Sequence, residues 1–543
     1  MLPLAPDYYR RNFLWVAEYV HAHRAHLMSD ELSHWLDSVS GLEAPAQCLY
    51  LRLLSRTGSL FRSDRCDYRE VPDLSEAVEA LTSAGLTLAD PSLDAVQLGK
   101  LLRRDELLQL PQLVGCSGNK AALVAALPQA QSLPLQSWWP QAPFELIVLT
   151  ENPPLAELQL LFFANARQSL TDFVLAAIGQ QAYEPYPLDP SAFPLQSPGE
   201  VQRYLELSEL SQRWQETAPE PSALKQLQRS SSNPKLERRR QHLVAQLARQ
   251  LEREGQDGDA LALLSGCHTA LARERRLRLL FARGDFEAAR NLALALWAQP
   301  ESPSELALAQ RFLKRLKAHL PITLTLSPPF RPETRRAQLP EGEERVEAKT
   351  IALVAQQGGE AWFSENRLIP TVAALMLWET LFLPLPGAFV QPFQSGPLDF
   401  YHPLFCARRQ GAIEQQFQRW QCCSQEDFVA QMLERFERLG ARRCQLMPGV
   451  AIAKPLLRAA LTGIEIAKWV RLVRFLLSDL VQHRAGMPDL LVSHEGQLMF
   501  VEVKGPGDSL RDNQRRWLAQ LNEVGLNAWV LELAPESEAV SFL

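Results

Sequence analysis

Near the C-terminal end of the chain an acid follows a proline, in Gly486-Met487-Pro488-Asp489, and a Glu-x-Lys comes soon after, in Val501-Glu502-Val503-Lys504-Gly505. Leu and Val runs before, and Met, Phe and Val after, predict two short strands joined through Ser493-His494-Glu495-Gly496-Gln497. With a side-chain period of two, Glu502 and Lys504 share one face of the second strand while Val501 and Val503 share the other. Two acids and a lysine at the end of one hairpin suit a divalent metal and a polarised water. The same alternation also occurs on an ordinary solvated strand, so what surrounds the hairpin decides between the two.

Behind it, Gly505-Pro506-Gly507-Asp508-Ser509-Leu510 turns the chain into a helix expected over 511–523. Leu510, Trp517, Leu518 and Leu521 give that helix a core face, and Gln514 and Arg515 point elsewhere. An apolar strand is expected at 528–533. Ahead of the hairpin, a helix starts at Arg345-Val346-Glu347-Ala348 and ends near Gly358-Gly359. Glu365 then precedes an apolar helix through Leu377-Trp378-Glu379-Thr380-Leu381. Sites for Mg²⁺ or Mn²⁺ favour oxygen ligands from separate elements, which draws attention to acids in this stretch.

The chain has 543 residues, 46% of them hydrophobic and 22% charged, which predicts a globular protein of about three or four domains. A net charge of −6 argues against coating nucleic acid indiscriminately but leaves room for local basic grooves. No apolar run reaches ~18 residues and no signal-type segment follows Met1-Leu2-Pro3-Leu4, so a cytosolic chain without a membrane partner is expected. Eight cysteines lack any Cys-x-x-Cys, and the loose group of Cys406, Cys422, Cys423, Cys444 and His402 lacks zinc spacing. Reduced thiols are expected.

The first region, 1–90, is read as helical and DNA-binding. A helix opens at Tyr8-Tyr9-Arg10-Arg11-Asn12-Phe13-Leu14, and helical pattern resumes over 47–56. Arg52, Arg56, Arg62 and Arg65 then lie among Phe61 and Tyr68, a mixture that suits phosphate contact as well as it suits a solvated helix end. Within 91–130 one helix through Leu98, Leu102 and Leu107 to about Leu110 and a second over 120–127 flank Gly115-Cys116-Ser117-Gly118-Asn119. The Gly118-x-Lys120-x-x-Leu123 spacing resembles a SAP module, a DNA-backbone binder, with Lys120 in the opening turn of its helix. Residues 131–222 are a helical connecting region that includes a proline-rich arm at 183–198. Residues 223–320 repeat paired helices at about thirty residues, as tetratricopeptide repeats do. Their clusters Lys235, Arg238, Arg239, Arg240 and Arg273, Arg275, Arg276, Arg278 form either a basic stripe or solvated helix faces. The last domain is set at 321–543, with its core at 345–382 and 460–535.

Helix, strand, strand, helix, strand resembles the core order of a PD-(D/E)xK nuclease, and Gly486-x-Pro488-Asp489 with Val501-Glu502-Val503-Lys504-Gly505-Pro506 resembles its VRR-NUC subclass. The opening Tyr8-to-Leu14 stretch, Leu49-Tyr50-x-Arg52-Leu53, the SAP-like segment, the helical repeats, Leu377-Trp378, Pro397-Leu398-Asp399 and Gln514-x-x-Trp517-Leu518 extend the likeness. Along essentially its whole length the chain resembles the Fanconi-associated nucleases. The resemblance implies a bacterial-type or otherwise minimal member lacking the ubiquitin-binding zinc finger of vertebrate members, so recruitment by ubiquitin is not implied.

What the family implies is carried over by position. Asp489, Glu502 and Glu365 match its metal carboxylates, with Glu379 as the alternative to Glu365. Lys504 matches the active-site lysine, and the Val503 carbonyl would be a further ligand for one or two Mg²⁺ or Mn²⁺ ions. The implied substrate is a 5′ flap or related branched DNA, with 5′–3′ exonuclease action alongside, in interstrand crosslink repair at the bacterial nucleoid. Arg52, Arg56, Arg62, Lys120, Arg273, Arg275 and Arg276 are the expected DNA contacts, the last three as a 5′-phosphate pocket, and Gln514 would position a water or phosphate oxygen. The competing expectations are a four-way-junction resolvase of the same superfamily and a non-catalytic helical-repeat scaffold.

Overall fold

Amphipathic helices account for the N-terminal and middle regions, and a sheet appears where the alternating hairpin was expected. The computed structural model describes residues 5–543 except 90, 151–153, 166–167, 169–181, 324–329, 448, 450–451 and 535–541. It divides into two units, 1–180 with 193–210, and 181–192 with 211–543.

In the first unit, Tyr8–Arg24 buries Tyr9, Phe13, Val16, Ala17 and Val20, one face at three- and four-residue spacing. Ser29 caps the following helix, Asp30–Ser40, by accepting from the Leu32 N–H. The single helix expected from Leu98 to Leu110 is two, Ala95–Leu101 and Arg104–Leu107. The chain is extended at Leu102 and Arg103, and Glu106 accepts from the Arg103 N–H at 2.7 Å to start the second piece. The break lets Leu98, Leu102, Leu107, Leu110, Leu123 and Leu127 meet in one core around Trp138, which an unbroken helix would have spread around its circumference.

In the second unit the repeat region is a run of helices, Pro234–Arg253, Asp257–Leu264, Ala270–Ala282, Phe286–Ala298 and Pro303–Leu316, each packed on its neighbour. The proline-rich arm carries Tyr186, whose ring stacks on Phe389 with centroids 4.1 Å apart.

The final domain is built on a five-stranded sheet, in spatial order Thr334–Gln338, Asn527–Ala534, Gln497–Lys504, Leu490–His494, Glu360–Phe363. The first three strands are parallel and the last three antiparallel. The expected hairpin closes on Glu495 and Gly496, both at positive φ (49° and 76°), the twist that a two-residue hairpin turn requires. Val501, Val503, Trp529 and Leu531 pack under the helix Val346–Gln356 side of the sheet. Phe500, Ala528 and Val530 face Trp517, Leu518 and Leu521 of the helix Asp512–Glu523. The two outer strands were not read from the sequence: Thr334–Gln338 has no apolar alternation and lies in a proline-rich stretch.

Among the described residues all eight cysteines are free, and no helix is long and apolar enough to cross a membrane.

Candidate metal-dependent active site

Asp489 stands one residue ahead of its strand and is 7% exposed. Its side-chain Oδ2 accepts from the Val503 N–H at 2.8 Å. Its carbonyl accepts from the Ser364 and Glu365 N–H groups at 2.8 and 3.1 Å, which fixes the segment carrying Glu365 against the hairpin. Asn366, at φ +50°, completes the join: its side chain donates to Glu365 Oε1 at 3.1 Å and accepts from the Met487 N–H at 3.1 Å. Asn366 therefore has a structural role beside Glu365. Short polar side chains tolerate this left-handed backbone better than most.

Glu502 is 1% exposed and lies on the sheet face that meets the helix Asp512–Glu523. Gln514, in that helix's first turn, donates to Glu502 Oε1 at 2.5 Å and accepts from Lys504 Nζ at 3.2 Å. Lys504 Nζ also pairs with Glu502 Oε1 at 3.0 Å. Trp517, one turn further on, donates to the His483 carbonyl at 2.9 Å and so ties the helix to the loop ahead of Asp489. In that loop Gly486 sits at φ +92°, with Asn513 atoms 2.6–2.8 Å from where a Cβ would stand.

Burial, then the charges of Glu365 and Glu347, pushes the Asp489 carboxyl up to about 6 against the pull of the Val503 N–H and Lys504. Burial and the charge of Asp489 push Glu502 up to about 8, with Lys504 opposing. Glu347, on the helix Val346–Gln356, thus acts on the site although nothing in its local sequence marks it. Glu379, the alternative third carboxylate, is instead paired with Arg435 on the far helix Gln425–Leu439.

The donor set fits a hard divalent cation: carboxylates and a backbone carbonyl, all oxygen. Glu502 Oε2 is buried without a hydrogen-bond partner, and the raised pKa values of both acids record burial first and repulsion from neighbouring acids after it, a cost that a bound cation offsets. Among the described residues no three acidic, His or Cys side chains are gathered at ligating distance as oriented, so common ligation requires side-chain rotation.

Comparison with known proteins bears on this geometry. The family models described as "FAN1, HTH domain" and "VRR-NUC domain" match residues 7–87 and 425–534. A Fanconi-associated nuclease 1 homolog of Pseudomonas aeruginosa is 31% identical over 538 residues, covering 94% of this chain and 93% of that one. The chain belongs to the Fanconi-associated nuclease family. The rice homolog is 24% identical over 98% of this chain, which spans 63% of that longer protein. The crystal structure of paFAN1 bound to 2nt 5′ flap DNA with gap superposes with a TM-score of 0.86 at 29% identity, covering 99% of this chain and all of that one. As a Fanconi-associated nuclease with a VRR-NUC domain the chain is a DNA-hydrolysing enzyme, and that domain implies a divalent metal cofactor.

The nuclease's expected DNA contacts fall into different settings. Arg62 is 4% exposed, paired with Glu106 and Asp64 at 2.8 Å each and laid over Phe144, so it is a core ion-pair residue and not a groove cation. Arg52 pairs with Glu70 at 2.8 Å and stacks over Tyr9. Arg56 is exposed, reaches the Tyr68 hydroxyl and lies over Phe61. Lys120 is exposed at the first position of Lys120–Ala126. Arg273 is committed to Glu301 and Glu305, and Arg275 to Glu252, while Arg276 is half-buried and pairs with no acid among the described residues.

Proposed function

We propose that the chain is a structure-specific endonuclease that cuts 5′ flaps and related branched DNA, with 5′–3′ exonuclease action, in the repair of interstrand crosslinks at the nucleoid. The observation that carries the reading is the meeting of Asp489, Glu502, Lys504 and Gln514 at one end of the hairpin. The likeness to a relative bound to a 5′ flap supports the substrate.

In this reading Asp489, Glu502, Glu365 and the Val503 carbonyl hold one or two Mg²⁺ or Mn²⁺ ions, and Glu347 adds a carboxylate from behind. When bound, the ion supplies an activated water and offsets charge on the phosphate and the leaving 3′ oxygen. Lys504, held by Glu502 and Gln514, orients the attacking water or stabilises the pentacovalent phosphate. Gln514 fixes both partners in one geometry, since its amide donates to one and accepts from the other. The Val503 N–H keeps Asp489 turned into the site. We assign the region from 1 to 130 and the repeats of 223–320 to gripping the duplex arms, through Arg52, Arg56, Lys120, Arg273, Arg275 and Arg276, because the hairpin meets only the scissile phosphate.

The test is an end-labelled 5′ flap incubated with Mn²⁺, beside a four-way junction and the Asp489→Ala variant. Incision of the 5′-ended strand near the junction, absent in the variant, is expected. Preferential cutting of the four-way junction, or equal cutting by the variant, overturns the reading.

A further inference from the structure

Away from the hairpin, the helices Ala270–Ala282, Phe286–Ala298 and Pro303–Leu316 border a cleft of about 430 Å³. Phe281, Phe286 and Phe312 form its floor, Phe281 meeting the other two edge to face at 5.6 and 5.5 Å. His319 lies flat on Phe286, centroids 3.8 Å apart and planes 15° from parallel. Arg315 lies over Phe281 at 4.2 Å and over Phe312 at 5.2 Å, and Arg278 over Phe312 at 5.8 Å.

Arg278 is balanced by Glu274. Arg315 has no carboxylate partner among the described residues, and only aromatic faces meet its charge. No acidic residue lines the cleft. In a chain of net charge −6 a pocket of three phenylalanines, two guanidinium planes and an exposed imidazole is a local reversal of sign. Ordinary core packing accounts for Phe312, which is buried, but not for His319 and Arg315, which stand in solvent on exposed rims.

Flat rings beside a cation with no acid partner match one chemistry. A nucleobase freed from a duplex offers a π-face for stacking, and its flanking phosphates offer the charge. Duplex DNA hides its base faces, and an acidic peptide would meet the cations while leaving the rings unused. The cleft also has a direct mechanical neighbour. Arg311, one turn before Arg315 on the same helix, pairs with Asp512 at 3.1 Å, at the start of the helix that carries Gln514. Arg516 of that catalytic helix donates to Ser304 at 2.5 Å.

We infer that this cleft takes an unpaired nucleotide of the substrate, its base stacked among His319 and the phenylalanines and its phosphates facing Arg278 and Arg315. The inference rests on the branched-DNA reading and names where that DNA's single strand is held.

The test uses the full chain without divalent metal, so that binding is read apart from cleavage. A fluorescein-labelled oligothymidylate of about 10 nucleotides is titrated against wild type, Arg315→Ala, His319→Ala and His319→Phe. Each alanine variant should bind about tenfold more weakly, His319→Phe should stay near wild type, and affinity for a blunt duplex should hold within about twofold. Unchanged oligonucleotide affinity in both alanine variants, an equal loss on blunt duplex, or binding of polyglutamate in place of oligothymidylate overturns the proposal. In parallel, 5-iodouracil placed in the unpaired strand of a flap should photocrosslink to Phe281, Phe286 or His319 of the wild type. Adducts confined to other residues also overturn it. A wild type that binds oligothymidylate through this cleft but does not cut flaps refutes only the substrate reading. One that cuts flaps with these variants unimpaired in binding refutes only the cleft.

Discussion

Gln514 and Glu502 are joined at 2.5 Å across a sheet–helix boundary, the amide nitrogen donating to a carboxylate that is almost wholly buried. A donor to the charged form of an acid favours ionisation. Gln514→Ala should therefore push the Glu502 pKa up further and move the alkaline-going rise of the pH–rate curve upward. It should also lower kcat by about tenfold to a hundredfold, with KM for DNA little changed. A pH–rate profile in Mn²⁺ over the neutral range measures both. A fall in kcat with no displacement of the profile would show that Gln514 touches only Lys504.

Asp489→Asn keeps an acceptor for the Val503 N–H but removes the charge. Cleavage should fall by about 10³-fold or more while flap affinity stays level or rises, because repulsion of the phosphate is relieved. Single-turnover assays paired with binding isotherms separate the two effects. Chelation of the wild-type protein should abolish cleavage in the same way and be reversed by Mg²⁺ or Mn²⁺.

The raised acids also set a stability trend. Folding lifts Asp489 to about 6 and Glu502 to about 8, above their unfolded values of roughly 4. The native state then binds more protons than the unfolded state between about pH 4 and 8, so this contribution is full below the window and lost as pH rises through it. Metal-free protein should melt a few degrees lower at pH 8 than at pH 5.5, and Asp489→Asn with Glu502→Gln should flatten the difference. Added divalent metal should recover stability at pH 8. Glu106 and Glu237, held down to about 2 by Arg62 and Arg240, change protonation only below that window. A melting curve independent of pH between 5.5 and 8 in chelator would contradict the assignment.

Gly486→Ala places a methyl group against Asn513 at a backbone angle that L side chains rarely adopt. We expect a loss of about 1–3 kcal/mol in urea unfolding and a drop in kcat, since the loop ahead of Asp489 must shift. An alanine variant with wild-type stability would mean that the loop relaxes freely.

Arg62→Ala breaks a buried pair and leaves Glu106 with only the longer guanidinium contact to Arg103, at 3.4 Å. Loss of about 3–5 kcal/mol of stability is expected, with flap affinity of the folded protein nearly unchanged. Lys120→Ala should do the opposite, sparing stability and weakening DNA binding with a shallower salt dependence. Denaturation and salt-titrated binding on both variants distinguish a core arginine from a surface lysine.

The hairpin was legible because its signals are local. Period-two alternation, a Glu-Gly turn and a Pro-Asp lead-in lie within a few residues of one another, and the helix behind them announces itself by Trp517, Leu518 and Leu521. Family resemblance then supplied the chemistry. Arginines among aromatics read alike whether they face solvent or core: only folding brings Glu106 to Arg62 and leaves Arg315 with no acid partner among the described residues. Glu347 acts on Asp489 from a helix far away in sequence, and the break at Leu102 answers to a core made by five separate segments. Side-chain period and turn chemistry are properties of neighbouring residues and so belong to the sequence. Burial, charge pairing and the raised pKa values of Asp489 and Glu502 depend on distant elements excluding water together, and only the tertiary structure decides them.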